Sequence, residues 1–135
     1  MNFIIHSEIY EWLLNLQIVK PTPMTHKLPS GKVVMDDFVS NLFLNGTIFA
    51  KILQKILDEG PSSLDKILST QKSIENLSTP SKLYNWNLVC ESLKKINIIV
   101  EQDIKNLIVA GDMDIVNEIL HEIYEKCKDN YVICT

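Results

Sequence analysis

Residues 81–98 read SKLYNWNLVCESLKKINI and carry the strongest structural signal in the chain. Apolar side chains recur here at steps of three and four residues, which places them on one face of an α-helix. The apolar face consists of Leu83, Trp86, Val89, Cys90, Leu93 and Ile96. The polar face is predicted to consist of Asn85, Asn87, Glu91, Lys94 and Lys95. Thr79 as the N-cap and Pro80 in the first turn suit the start of this helix.

The N-terminal half is predicted to contain three more helical segments and one long loop. A helix from about Ser7 to Leu16, capped by Ser7, precedes a proline- and threonine-rich segment from Pro21 to Gly31. That segment is predicted to be a loop, because proline breaks helices. A short helix near Asp36–Leu42 is expected to carry Phe38 inward. After the Asn45-Gly46-Thr47 turn, the apolar spacing predicts a longer helix.

The C-terminal half continues the helical pattern. A loosely defined helix is expected around Leu64 and Ile67, and a short helix from Gln102 to Val109. Gly111 is expected to end that short helix, and Asp112 to cap the last one, because these residue types suit helix termini.

One domain accounts for the 135 residues, of which 46 % are hydrophobic. The predicted fold class is all-α: a compact bundle of four main helices plus short connecting helices. We expect this domain to cover residues 7–126, with 127–135 as a C-terminal tail or the start of a linker. No apolar run approaches the roughly 20 residues needed to cross a bilayer, so no membrane association is expected.

The charge is unevenly distributed, although the formal net charge is only −4 and every basic side chain is lysine. The segment from Lys20 to Lys55 contains five lysines and two aspartates. The segment from Glu101 to Asp129 contains eight acidic residues and three lysines. This asymmetry predicts a partner surface on the basic half. The candidate binding residues are Lys20, Lys27, Lys32, Lys51 and Lys55, with Lys82, Lys94 and Lys95 as a second surface. A solvated surface without a partner is the alternative.

The sequence contains no recognisable catalytic, metal-binding or cofactor-binding motif, so it predicts neither an enzyme nor a metal or cofactor site. His6, His26 and His121 are scattered, and the acidic residues around His121 are interpreted as a plain acidic helix face. Asp36 and the adjacent aspartate are interpreted as a helix cap, and Cys90 as a core residue. The acidic net charge and the lack of arginine disfavour nucleic-acid binding.

The order of these elements resembles the calponin homology family. The resemblance is carried by Ile9-Tyr10-Glu11-Trp12-Leu13, Asp37-Phe38-Val39-Ser40-Asn41, Asn45-Gly46-Thr47-Ile48-Phe49, and Ala110-Gly111-Asp112 followed by Ile115-Val116. Lys82-Leu83-Tyr84-Asn85-Trp86 is similar to the Lys-Leu-x-Asn-Trp stretch of the sperm-flagellar and ciliary subgroup. The chain departs from that subgroup in its lack of arginine and in a longer polar insertion before Phe38.

The resemblance implies a non-enzymatic, monomeric module that binds the cytoskeleton. Tandem domains of this family bind actin filaments, whereas single domains more often bind microtubules or act as scaffolds. We therefore expect tubulin or axonemal partners, docked through the lysine patch, and a cytoplasmic location at the cytoskeleton, in a cilium or flagellum by analogy with the subgroup. Actin binding, and a protein–protein scaffold without filament contact, are the alternatives.

Overall fold

The computed structural model describes residues 3–22, 25–57, 64, 67 and 78–128. The helices in these ranges are α1 (Ser7–Asn15), α2 (Asp37–Leu44), α3 (Thr47–Leu57), α4 (Thr79–Leu93), α5 (Gln102–Val109) and α6 (Met113–Cys127). A short 3-10 helix, Lys94–Ile96, extends α4. The strands are β1 (Ile4–His6), β2 (His26–Lys27) and β3 (Lys32–Val34). Leu64 and Ile67 are helical and buried.

The chain is mostly helical, as predicted, but a small antiparallel sheet accompanies the helices. β3 lies between β1 and β2, with Ile5 paired to Val33 and Lys27 also opposite Val33. A strictly all-α description is therefore too simple, and β2 lies inside the predicted Pro21–Gly31 loop. Strands of two or three residues are too short for period-two alternation to be visible in the sequence.

A row of aromatic rings runs through the core. The ring centroids of Phe3 and Phe43 are 4.5 Å apart, those of Phe43 and Phe49 are 6.1 Å apart, and those of Phe49 and Trp86 are 5.0 Å apart. Each such pair contributes about 0.5–1.5 kcal/mol beyond the burial of its area. The row joins the N-terminal residues to α2, α3 and α4, and confirms the predicted burial of Trp86.

Two side chains of α4 hold the turn between α2 and α3. The indole N–H of Trp86 donates to the carbonyl oxygen of Leu44 at 2.7 Å, and the Asn85 amide donates to that of Asn45 at 3.1 Å. These carbonyls belong to the end of α2, where intrahelical partners run out. Asn85 is buried, so its predicted place on the polar face is wrong. Helical periodicity could not reveal a hydrogen-bond partner 40 residues away.

The helix termini agree with the prediction in part. Asp36 caps α2 by accepting from the Val39 N–H at 2.8 Å, and Asp112 caps α6. The cap of α4 is Ser78, one residue before the predicted Thr79. The residue before α1 is His6, whose side chain makes no cap hydrogen bond.

The buried core differs from the predicted one at Phe38 and at Phe3. Phe38 was predicted to point inward, but its side chain is 52 % exposed, because Val39, Leu42 and Phe43 form the buried face of α2. Phe3 is buried although it precedes residue 7, and its N–H donates to the Ser40 hydroxyl at 2.8 Å. Of the predicted tail, residues 127–135, Cys127 is the buried last residue of α6, and residues 129–135 lie outside the described residues.

Candidate partner-binding surfaces

The lysines of the first predicted patch lie on three separate parts of the structure. Lys20 follows α1, Lys27 and Lys32 lie on the sheet, and Lys51 and Lys55 lie on α3. α3 packs against α2 and α4, whereas β3 packs against α1 and its neighbouring strands. The sequence grouping therefore combines lysines that belong to different packing units.

The two sheet lysines point to opposite faces. Lys27 is paired with Val33, and Lys32 is the residue before Val33 on the same strand. Successive side chains of a strand alternate between faces, and paired residues share one. Lys27 consequently lies on the α1 side of the sheet, where Glu8 and Glu11 line the same depression. These two carboxylates offset part of the charge that Lys27 could offer to an acidic partner.

The lysines of α3 are presented together. Lys51 is half-buried and Lys55 is exposed, and they stand one turn apart beside the apolar stripe that contains Ile52 and Ile56. Residues 47–57 include no aspartate or glutamate. Among the described residues no ion pair engages either lysine. This helix therefore presents a basic stripe that no described carboxylate neutralises, on an element packed against α2 and α4.

The second set of predicted lysines is divided between the two ends of α4. Lys82 lies in the first turn of α4, whereas Lys94 and Lys95 lie in the 3-10 helix beyond its C-terminal end. Twelve residues of helix span about 18 Å. Lys82 and Lys94 are thus too far apart to form one compact patch.

An acidic groove, which the sequence did not predict as a site, lies between α1 and α6. Trp12 and Tyr124 pack edge to face across it with ring centroids 5.3 Å apart, and the Asn117 amide donates to the Ile4 carbonyl at 3.2 Å. Neighbouring depressions along α6 share lining residues, so they form one continuous surface, called here the α1–α6 groove. Its carboxylates are Glu8, Glu11, Asp114, Glu118, Glu122 and Glu125.

Two histidines meet in this groove although 115 positions separate them in the sequence. The ring centroids of His6 and His121 are 6.3 Å apart, and His121 Nε2 lies 3.8 Å from a Glu125 oxygen. Within the part of the chain that the structure describes, no three histidine, cysteine, aspartate or glutamate side chains lie close enough together to hold a metal ion. The acidic face of α6 was visible in the sequence, but its meeting with α1 was not.

Cys90 lies in the core, as predicted. Burial raises the pKa of its thiol to about 11, and Lys105 and Lys94 only partly oppose the effect. The thiolate is the nucleophilic form of cysteine, so Cys90 is unreactive at neutral pH.

In the described ranges, every helix is too short or too polar to span a bilayer.

Comparison of the chain with protein-family models, curated proteins and solved structures found no match. The calponin homology assignment therefore stays a prediction that rests on the motifs quoted above.

Proposed function

We propose that this chain is a non-enzymatic binding module that docks on an acidic cytoskeletal filament, with microtubules as the expected partner. The observation that carries the proposal is the basic stripe of α3, where Lys51 and Lys55 stand one turn apart beside the buried face of the helix and form no ion pair with a described carboxylate. The resemblance of Lys82-Leu83-Tyr84-Asn85-Trp86 to the sperm-flagellar and ciliary subgroup supports microtubules over actin.

Docking of this kind depends on several weak contacts. An exposed lysine paired with a carboxylate contributes about 0–1 kcal/mol, and salt screens such pairs over a Debye length of about 8 Å at physiological ionic strength. A filament offers many acidic sites, so a rigid helix that presents two lysines together gains more than two independent side chains. Binding should consequently weaken as salt is raised.

Co-sedimentation with microtubules and, in parallel, with actin filaments tests the proposal at low and moderate salt. The variant Lys51→Glu/Lys55→Glu should lose most microtubule binding, because it places two negative charges on the docking stripe. The matched control is Lys105→Glu/Lys126→Glu, which changes the net charge equally on α5 and α6, outside both predicted lysine surfaces. Circular dichroism of both variants checks that the helices are retained.

Three results would contradict the proposal. Equal loss of binding in both variants would show that net charge, and not the α3 stripe, governs pelleting. Pelleting with actin alone would make actin the partner. Failure to pellet with either filament at low salt would favour a scaffold without filament contact.

A further inference from the structure

The α1–α6 groove combines a half-buried aromatic pair with carboxylates on both sides. Trp12 and Tyr124 form its floor at one end, with Glu8 and Glu11 along α1 and Glu125 along α6. The face of an aromatic ring attracts cations, and the hydrocarbon stems of lysine and arginine pack well against rings. The groove therefore matches a cationic side chain in both shape and charge.

One lysine of the chain already shows this chemistry at the end of the groove. The Lys128 ammonium lies 5.4 Å from the centre of the Tyr124 ring and 3.3 Å from a Glu125 oxygen. An ammonium group thus contacts the aromatic floor and the carboxylate rim together. Further along α6, Glu118 and Glu122 are exposed, and no described residue forms an ion pair with them. That part of the groove retains its negative charge.

We propose that the α1–α6 groove binds a lysine- or arginine-rich segment of a partner protein. Charge complementarity identifies this occupant, because the groove has six carboxylates against Lys27 and Lys128. Its length suits a short extended peptide. Residues 114–128 of a helix extend over about 21 Å, and eight extended residues span about 26 Å.

This surface is independent of the proposed filament contact. The basic stripe lies on α3, whereas the groove is built by α1, β1 and α6. A molecule with both surfaces could link an acidic filament to a basic partner. The peptide experiment below contains no filament, so its failure would leave the α3 proposal intact, and a failed co-sedimentation would leave the groove proposal intact.

The test is a titration of the chain with an acetylated, amidated octapeptide of alternating lysine and alanine, at low salt. Tryptophan fluorescence reports occupancy of the groove, because Trp12 lines it and Trp86 is fully buried. A peptide with glutamate in place of lysine serves as the negative probe. The signal should disappear in Trp12→Phe, while calorimetry of that variant should still detect binding.

Two pairs of variants separate groove binding from general electrostatic attraction. Glu118→Gln/Glu122→Gln should weaken binding about tenfold, since two rim contacts are removed. Glu101→Gln/Asp103→Asn, which changes the charge equally outside the groove, should change it less than about twofold. Tyr124→Leu should also weaken binding, whereas Tyr84→Leu, at an exposed tyrosine on α4, should leave it unchanged.

The proposal is overturned if the lysine peptide produces no change in fluorescence or heat. It is also overturned if both charge variants weaken binding equally. Concentration-dependent self-association in analytical ultracentrifugation that Glu118→Gln/Glu122→Gln abolishes would identify a second copy of the chain as the occupant and would overturn it as well.

Discussion

The two tryptophans of the chain lie in opposite surroundings. Trp86 has no exposed surface, and its indole N–H is committed to the Leu44 carbonyl at the end of α2. Trp12 is half-buried and lies at the surface groove, where its ring meets Tyr124. Both lie on amphipathic helices at apolar positions, so the pattern alone assigns them the same role.

The comparison shows that the same residue type stabilises the core in one region and lines a surface groove in the other. Around Trp86, every described buried polar side-chain atom has a hydrogen-bond partner, and the turn between α2 and α3 is held from two sides. Around Trp12, the ring is shared between the core and a groove with charged walls. The two tryptophans therefore differ in how far water can reach them, although the residue type is the same.

The largest expected effect is the loss of Trp86. Trp86→Ala should lower the free energy of unfolding by about 3–5 kcal/mol, through a cavity in the aromatic row. Trp86→Phe should cost about 1–3 kcal/mol, because the Leu44 carbonyl is left without a donor. Trp12→Phe, as the control, should cost less than about 1 kcal/mol. Urea unfolding measures all three, and equal costs for the two phenylalanine variants would remove the distinction between the regions.

Gly46 offers a second, smaller way to disturb the Trp86 region. Its φ of 83° is left-handed, and a Cβ there would meet Val89 Cγ2 at 3.5 Å, an ordinary contact distance. Gly46→Ala should cost about 1–2 kcal/mol from backbone strain alone. It should cost about as much as Gly31→Ala, because Gly31 has a similar φ of 89° and the contact at Gly46 adds no clash. Thermal unfolding compares the two variants, and a clearly larger cost at Gly46 would contradict this account.

The sequence predicted the helices better than it predicted their surfaces. The three- and four-residue spacing located α1, α3, α4, α5 and α6, because burial of one helical face is a local property of the chain. The sheet escaped prediction because its strands are short. Asn85 was misplaced because its partner is far away in sequence, and an isolated helix gives no sign of it.

The surfaces depend on which elements meet, and periodicity does not contain that information. The predicted lysine patch counted charges along the chain, and the fold divides them between the sheet and α3. The acidic groove requires Glu8 and Glu118 to approach across more than a hundred positions. The acidic face of α6 could be predicted, but its aromatic floor could not.

The titration of the Cys90 thiol reports how completely water is excluded from the core around Trp86. Burial raises the pKa of the Cys90 thiol from its ordinary value of 9.0 to about 11, so the folded state keeps this proton to a higher pH than the unfolded chain does. The contribution of the protonated thiol to the free energy of unfolding is fully present below pH 9 and is lost as the pH rises toward 11. At pH 10 the loss is about 1 kcal/mol. Cys90→Ala should show a shallower decline in unfolding free energy between pH 8 and pH 10. Parallel declines would mean that the thiol is not shielded.

The smallest effect concerns solvent access and requires no change in stability. Acrylamide quenches indole fluorescence only where it can reach the ring. In Trp12→Phe the emission comes from Trp86, which has no exposed surface, so quenching should be weak. The wild-type protein should be quenched more strongly, because Trp12 at the groove adds an accessible component. Addition of the lysine peptide should reduce the wild-type quenching and leave that of Trp12→Phe unchanged, since only the groove ring is covered. Equal quenching of the two proteins without peptide would mean that both tryptophans are buried alike, and the contrast between the two regions would then rest on the hydrogen bond of Trp86 alone.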